Sequence, residues 1–270
     1  MQQNCLVREE EAMHAALSIE ILHNFSLIHD DIMDQDDMRH GLPSIFRKWD
    51  ESTAILAGDV IFALAYVELA KVKTDPLRCL QVFNDATIKL CEGQALDKAF
   101  ESQGNVTPDE YLEMVRLKTG TLLSLSCKLG AIIGNASRED EVELAQFGEI
   151  LGQTFQIQDD VLEIFSSSEK MGKSLGSDVV SQKKTYLTCR ALEMDPLVWN
   201  DLMESLKDKD LESDVLPALR LYFEKSGIMV EAGETIDRLV TLSRSKLKRF
   251  DKNSRQYLEH FVEMLIVREK

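Results

Sequence analysis

Residues 12–34 read AMHAALSIEILHNFSLIHDDIMD, and this stretch decides the fold. Leu17, Ile21, Phe25, Ile28 and Ile32 recur at steps of three and four, the period of one helix face. The stretch ends on Asp30, Asp31 and Asp34, so carboxylates are mounted on an apolar helix. Outward from it, similar stripes run over 52–72, 78–101, 109–134, 139–165, 182–192, 197–207, 211–224 and most of 227–267. No run alternates apolar and polar residues long enough to argue for a strand. Pro43, Pro76, Pro108, Pro196 and Pro217 mark breaks between stripes, and Thr107 and Ser137 stand where N-caps belong. The pattern predicts an all-α chain folded as a single domain over residues 1–270, with about ten helices. A Gly/Ser-rich loop, Ser166–Ser177, is read as its mobile segment.

The 270 residues are 44% hydrophobic, enough for a large core. A net charge of −16, from 31 basic and 47 acidic residues, repels DNA and RNA, so no nucleic-acid partner is expected. A small anionic substrate remains compatible where cations or a metal gather locally. No basic stretch followed by an apolar core opens the chain, which argues against a secretory signal. The greasiest stretch, Ala54–Ala70, is interrupted by Asp59 and Glu68 and reads as too short and too charged to span a membrane. Cys5, Cys79, Cys91, Cys127 and Cys189 are dispersed and odd in number, which predicts reduced thiols in a cytoplasmic protein.

Two acidic clusters carry the chemistry. The first is Asp30, Asp31, Asp34, Asp36 and Asp37; the second is Asp159, Asp160 and Glu163 in FQIQDDVLEIF. Asp30 and Asp34 lie four apart, as do Asp159 and Glu163, so each pair projects from one helix face. Like charges at that spacing destabilise a helix unless a cation bridges them. A solvated acidic face explains one such cluster as well as a metal does. Two clusters of equal spacing on separate apolar helices favour the metal. All-oxygen donors suit Mg²⁺ shared with a substrate phosphate, and no His or Cys sits at ligand spacing for zinc. Cations for an anionic substrate are Arg39, Lys118 beside Thr119, Lys173, and Lys183 with Lys184. Singly each is an ordinary surface charge, and Lys184 is read as one. Together they carry charge enough that they could neutralise a diphosphate leaving group.

These motifs carry a family resemblance. LHNFSLIHDDIMD followed by MRHGLPS resembles the first aspartate-rich motif of the trans-isoprenyl diphosphate synthases, the polyprenyl synthetase family. LAGD at 56–59, EGQALD at 92–97, LKTG at 117–120, FQIQDDVLE at 155–163, GKSLGSD at 172–178 and QKKT at 182–185 follow in the family's order. The resemblance runs from about residue 12 to the C-terminus. It implies a helical bundle with a central cavity, formed as a homodimer. It implies Asp30, Asp34 and Asp159 as Mg²⁺ ligands, supported by Asp31, Asp160 and Glu163, with three Mg²⁺ per active site bridging to diphosphate. Arg39, Lys118, Thr119, Gln156, Lys173 and Lys183 are implied to hold the allylic diphosphate. His23, and more weakly His40, are implied to meet isopentenyl diphosphate, while Gln94 and Asp97 face the cavity. His29 has no implied role and is read as an ordinary helix histidine.

The implied reaction is ionisation of the allylic diphosphate, attack by the double bond of isopentenyl diphosphate, and proton loss to the bound diphosphate, with water excluded. Phe25 and Ser26 stand where the family sets product length, with an aromatic at Phe25 resembling the floor of enzymes making a C20 product, in a range of C15 to C25. Three features depart from the pattern. Glu163 replaces the usual Asp, and His40 replaces a second Arg. Residues Met1–Glu20 hold no match to the family's upstream Gly-Lys-x-x-Arg clamp, so this chain alone is expected to bind isopentenyl diphosphate weakly, with the family's N-terminal helices absent. Two alternatives stay open: a class I terpene cyclase, and a non-catalytic subunit of a heteromeric prenyl synthase.

Overall fold

A 33-residue helix, α1 (Gln2–Asp34), opens the structure, and it holds neither Gly nor Pro. The structure is a computed structural model and describes residues 2–166, 179 and 183–267. After α1 come a two-strand hairpin, β1 (Met38–Arg39) and β2 (Leu42–Pro43), and then α2 (Ile45–Lys48) and α3 (Glu51–Leu69). α4 (Pro76–Ser102), α5 (Pro108–Val115), α6 (Thr121–Ile133) and α7 (Arg138–Phe165) follow. The described remainder is α8 (Tyr186–Met194), α9 (Pro196–Leu206), α10 (Leu216–Lys225), α11 (Ile228–Leu247) and α12 (Lys252–Val267). The fold is all-α, as the periodicity predicts. The one exception among the described residues is the hairpin, too short to leave an alternating pattern. The loop read as mobile lies outside the described residues, apart from Ser166.

The chain divides into two compact units. The first is Met1–Lys89 with Thr121–Gly148. In it α1 packs on α3 and α6. The face α1 buries only partly matches the stripe the sequence predicts, of which Ile21 and Phe25 pack half-buried against the core. Glu11, Ala15, Ser18 and Leu22 are buried, whereas Leu17 is 42% exposed. Small residues win this face because α3 comes close: it buries Ala54, Gly58, Ala65 and Leu69 in return. Around this contact gather Val82, Phe83, Leu125, Leu129 and Ile132. Asp50 caps α3 by accepting the Thr53 N–H at 2.8 Å. Arg78 pairs with the buried carboxylate of Glu141 and ties α4 to α7 inside this unit.

α3 also corrects the sequence reading: Glu51–Leu69 is long and apolar enough to cross a membrane by length and composition. One face of it packs on α1. The other leaves Ile55, Leu56, Val60, Leu64 and Val67 exposed.

The second unit is Leu90–Gly120 with Glu149–Lys270. Thr107 and Glu110 close a capping box at α5, with Pro108 in the first turn where its missing N–H costs nothing. The stripe over 109–134 is interrupted at Arg116–Gly120 by a π turn, a wider ring that accommodates one extra residue. A second π turn, Leu211–Val215, precedes α10, so Pro217 falls in a helix's first turn rather than between stripes. Gly227 at φ +80° separates α10 from α11, a left-handed position that favours glycine. Trp199 stacks on Tyr222 and Phe223 at 5.5 and 5.6 Å between ring centroids.

Cys79, Cys91, Cys127 and Cys189 form no disulfide. Burial pushes the Cys79 thiol up to about 11 and the Cys127 and Cys189 thiols to about 12, so these stay protonated at neutral pH.

Glu11 fixes the loop after α3. Its Oε2 accepts the backbone N–H groups of Lys73 at 3.0 Å and Thr74 at 2.8 Å. Burial raises its pKa, but these hydrogen bonds outweigh burial and leave the carboxyl below its ordinary value. A lowered folded pKa adds stability above the unfolded pKa, and that stability is lost as pH falls through the folded value. Glu11→Gln should therefore cost about 1–3 kcal/mol at pH 7, with the difference from wild type fading below about pH 4. Denaturant titrations at both pH values measure it, and equal stability at pH 7 would dismiss the clamp.

Candidate active site

In the first unit the site is built at the C-terminal end of α1. Asp30 and Asp34 share one face and are half-buried. Asp31, one position round the helix, is buried, and the Arg39 guanidinium donates to it from Nε at 2.9 Å and again from Nη2. Burial pushes the Asp31 carboxyl up while the guanidinium pulls it down. Arg39 also reaches Asp36 at 3.6 Å, and Arg47 reaches Asp37 at 3.3 Å. The hairpin aims Arg39. His40 at φ 51° and Gly41 at φ 75° make the two-residue turn, which leaves the His40 side chain exposed at its tip.

His23 is half-buried, and its carbonyl accepts the Ser26 hydroxyl at 2.7 Å. Phe25 stacks against Phe62 and against His29, both at 4.7 Å. His29, given no role by the sequence, lies across Gly58, where any Cβ would strike its ring. That contact gives the glycine of LAGD a steric reason.

In the second unit three backbones converge at glycines. A Cβ on Gly152 of α7 would lie 2.5 Å from the Gly120 Cα, and one on Gly120 would lie 2.9 Å from the Glu149 carbonyl oxygen. A Cβ on Gly93 of α4 would strike the backbone of Lys118. This approach sets Lys118 against α4, where its Nζ donates to the buried Asp97 at 2.6 Å. It also sets Thr119 against α7, where its hydroxyl donates to Gln156 Oε1 at 3.1 Å. Gln156 Nε2 donates to Asp160 Oδ1 at 3.2 Å. Asp160 Oδ2 accepts the Tyr111 hydroxyl at 2.5 Å and the Tyr186 backbone N–H at 2.8 Å.

Asp159 is half-buried on the same helix, and Glu163 is buried. The amide nitrogen of Gln94 is buried with no hydrogen-bond partner. Lys183 and Lys184 are half-buried just before α8, and Lys173 lies outside the described residues.

Tyr111 is the member of this network that sequence reasoning misses. It stands seven residues before Lys118, two helical turns, and that spacing is the signal that could have found it. Burial, and next the Asp160 carboxylate, push its hydroxyl well above its ordinary value, so it donates.

Among the described residues no three His, Cys, Asp or Glu side chains cluster as a closed metal site. The donors are instead i,i+4 pairs of carboxylates, Asp30 with Asp34 and Asp159 with Glu163. All-oxygen pairs fit Mg²⁺, which takes one or two carboxylates and keeps waters and substrate phosphate for its other positions.

The polyprenyl synthetase family profile matches residues 2–221, and the chain belongs to that family. It is 44% identical over 182 residues to a geranylgeranyl diphosphate synthase of Methanosarcina mazei, an alignment covering 66% of this chain and 56% of that one. The chain thus spans little more than half the length of that relative. It is 36% identical over 262 residues to a short chain isoprenyl diphosphate synthase of Methanothermobacter thermautotrophicus, covering 96% of this chain and 80% of that one. The crystal structure of geranylgeranyl pyrophosphate synthetase from Pyrococcus horikoshii superposes with a TM-score of 0.86 at 36% identity, covering 95% of this chain and 79% of that one.

The glycine approach is directly testable. Gly152→Ala should destabilise the protein by about 1–3 kcal/mol, because two backbones must part. Gly130→Ala, in α6 with open space around its Cβ position, should stabilise it by about 0.5–1 kcal/mol. Thermal melts of both variants check this, and equal effects would refute the close contact.

Proposed function

We propose that the chain is a prenyltransferase that condenses an allylic diphosphate with isopentenyl diphosphate into a linear short-chain prenyl diphosphate. The observation that carries this is the grouping in the second unit: Lys118 and Thr119, on the π turn, are held by the glycine contact against α7, the helix that carries Gln156 and Asp159. An ammonium with flanking hydrogen-bonding groups is what a departing diphosphate needs.

Asp30, Asp34 and Asp159 are assigned to Mg²⁺, three ions per site. When bound, Mg²⁺ neutralises charge developing on the leaving diphosphate. Lys118 supplies further positive charge and trades its Asp97 contact for phosphate oxygens. Arg39, Lys173 and Lys183 are assigned to the same diphosphate, and His23 and His40 to isopentenyl diphosphate. The π system of the second substrate attacks the allylic cation, and the proton leaves to diphosphate. Gln94 and Asp97 are assigned to the cavity wall. Glu163 is read as support for Asp159.

The family profile runs without a break through residues of both units, which supports reading residues 1–270 as one domain. The exposed face of α3, with Ile55, Leu56, Val60 and Leu64, together with Leu77, Leu80 and Ile88 of α4, supports a homodimer. The unpaired cysteines support a cytoplasmic setting. Phe25, with Ser26 beside it, is assigned to the end of the chain-length pocket, and Phe62 behind it supports a C20 product.

Asp30→Ala and Asp159→Ala should each cut turnover by at least about a thousandfold while the melting temperature holds, since each removes a charge from a like-charged pair. Incorporation of labelled isopentenyl diphosphate with Mg²⁺ measures this, and near-wild-type turnover of either variant would displace the site. Phe25→Ala should lengthen the product by one or more isoprene units in chromatography of the dephosphorylated alcohols. An unchanged distribution would move the floor elsewhere.

A further inference from the structure

The second aspartate of the second motif does a different job from the first. Asp160 is 5% exposed, and both its oxygens are engaged by donors from three elements. Oδ2 takes the Tyr111 hydroxyl from α5 and the Tyr186 N–H from the first turn of α8; Oδ1 takes the Gln156 amide from α7. A carboxylate at the N-terminal N–H of a helix is further stabilised by the helix dipole. Asp160 therefore spends its charge inside the protein.

Its hold on Gln156 has a consequence one step out. An amide donates only through nitrogen. With Nε2 on Asp160, Oε1 must face Thr119, and it accepts the Thr119 hydroxyl there. The orientation of Gln156, and through it that of Thr119, is thus set by a carboxylate that Tyr111 steadies. The same carboxylate anchors the turn that begins three residues after Lys183.

We propose that Tyr111 and Asp160 are positioning residues that orient Gln156 and Thr119 for a diphosphate, and that Asp160 is not a metal ligand. This rests on the function proposed above, since it names how the same site is held. Tyr111 touches no substrate in this scheme. Its hydroxyl acts through Asp160 and Gln156.

The test is calorimetry of inorganic diphosphate in the presence of Mg²⁺ on the full chain, so that it reads positioning without requiring turnover. Tyr111→Phe should weaken diphosphate binding about five- to twentyfold, as expected for loss of a hydrogen bond to a charged group. The half-saturating Mg²⁺ concentration should stay within about twofold. In a Gln156→Ala background, Tyr111→Phe should have no further effect beyond about twofold, because the relay is already cut. Asp160→Asn, whose amide nitrogen cannot accept from Gln156, should weaken diphosphate binding at least as much as Tyr111→Phe, again with Mg²⁺ half-saturation held. Asp159→Asn should instead raise Mg²⁺ half-saturation about tenfold or more. The proposal is overturned if Asp160→Asn raises Mg²⁺ half-saturation as Asp159→Asn does. It is overturned equally if Tyr111→Phe lowers only the melting temperature, or if its effect multiplies undiminished with Gln156→Ala. Wild-type chain that binds diphosphate in this pattern yet never incorporates isopentenyl diphosphate would sink the assigned reaction and leave the positioning claim standing.

Discussion

The constraint on which the second unit depends is steric: Gly93, Gly120 and Gly152 let three stretches of backbone touch where any side chain would hold them apart. Backbone contact of this kind is rigid, since no rotamer can absorb an intrusion. It fixes the π turn Arg116–Gly120 between α4 and α7. The turn in turn fixes Lys118 on Asp97 and Thr119 on Gln156. A loop could carry the same side chains, but not hold their heads to a few tenths of an ångström, which electrostatic stabilisation of a leaving group requires.

A second regularity is how cations are stored. With a net charge of −16 the protein has few to spare for an anion. Arg39 rests on the buried Asp31, and Lys118 rests on the buried Asp97. Each pairing keeps a long flexible side chain in one place at the cost of competing for its charge. On the proposed function, a diphosphate would displace the carboxylate or share the cation with it, which favours a ligand of high charge density.

Much of this was legible in the sequence. The helical class followed from periodicity, and the caps at Thr107 and Ser137 fold as expected, with the Ser137 hydroxyl accepting the Asp140 N–H at 3.1 Å. The sequence singles out Lys118, Thr119 and Gln156, and the structure sets Lys118 on Asp97 and links Thr119 through Gln156 to Asp160. The most buried line of α1 is offset from the apolar stripe because a stripe marks hydrophobic residues, whereas a close helix pair prefers small ones such as Ala15 and Ser18. Tyr111 and His29 went unassigned for another reason. Each acts through contact with a distant segment, Asp160 for Tyr111 and the stretch around Gly58 for His29, and a local pattern carries no record of such a partner. The π turns were invisible because a stripe of 26 residues over 109–134 reads as continuous when one wide turn shifts its phase.

The central claim is that the second unit presents a diphosphate site in which Lys118, Thr119 and Gln156 meet the anion while Asp160 stays inside the protein. The most direct measurement is a crystal structure of the chain soaked with Mg²⁺ and a non-hydrolysable allylic thiodiphosphate. The account predicts a diphosphate oxygen within hydrogen-bond distance of Lys118 Nζ, Mg²⁺ on Asp159, and Asp160 still bonded to Tyr111 and to the Tyr186 N–H. A diphosphate bound elsewhere, or Asp160 swung out onto the metal with Tyr111 abandoned, would contradict it.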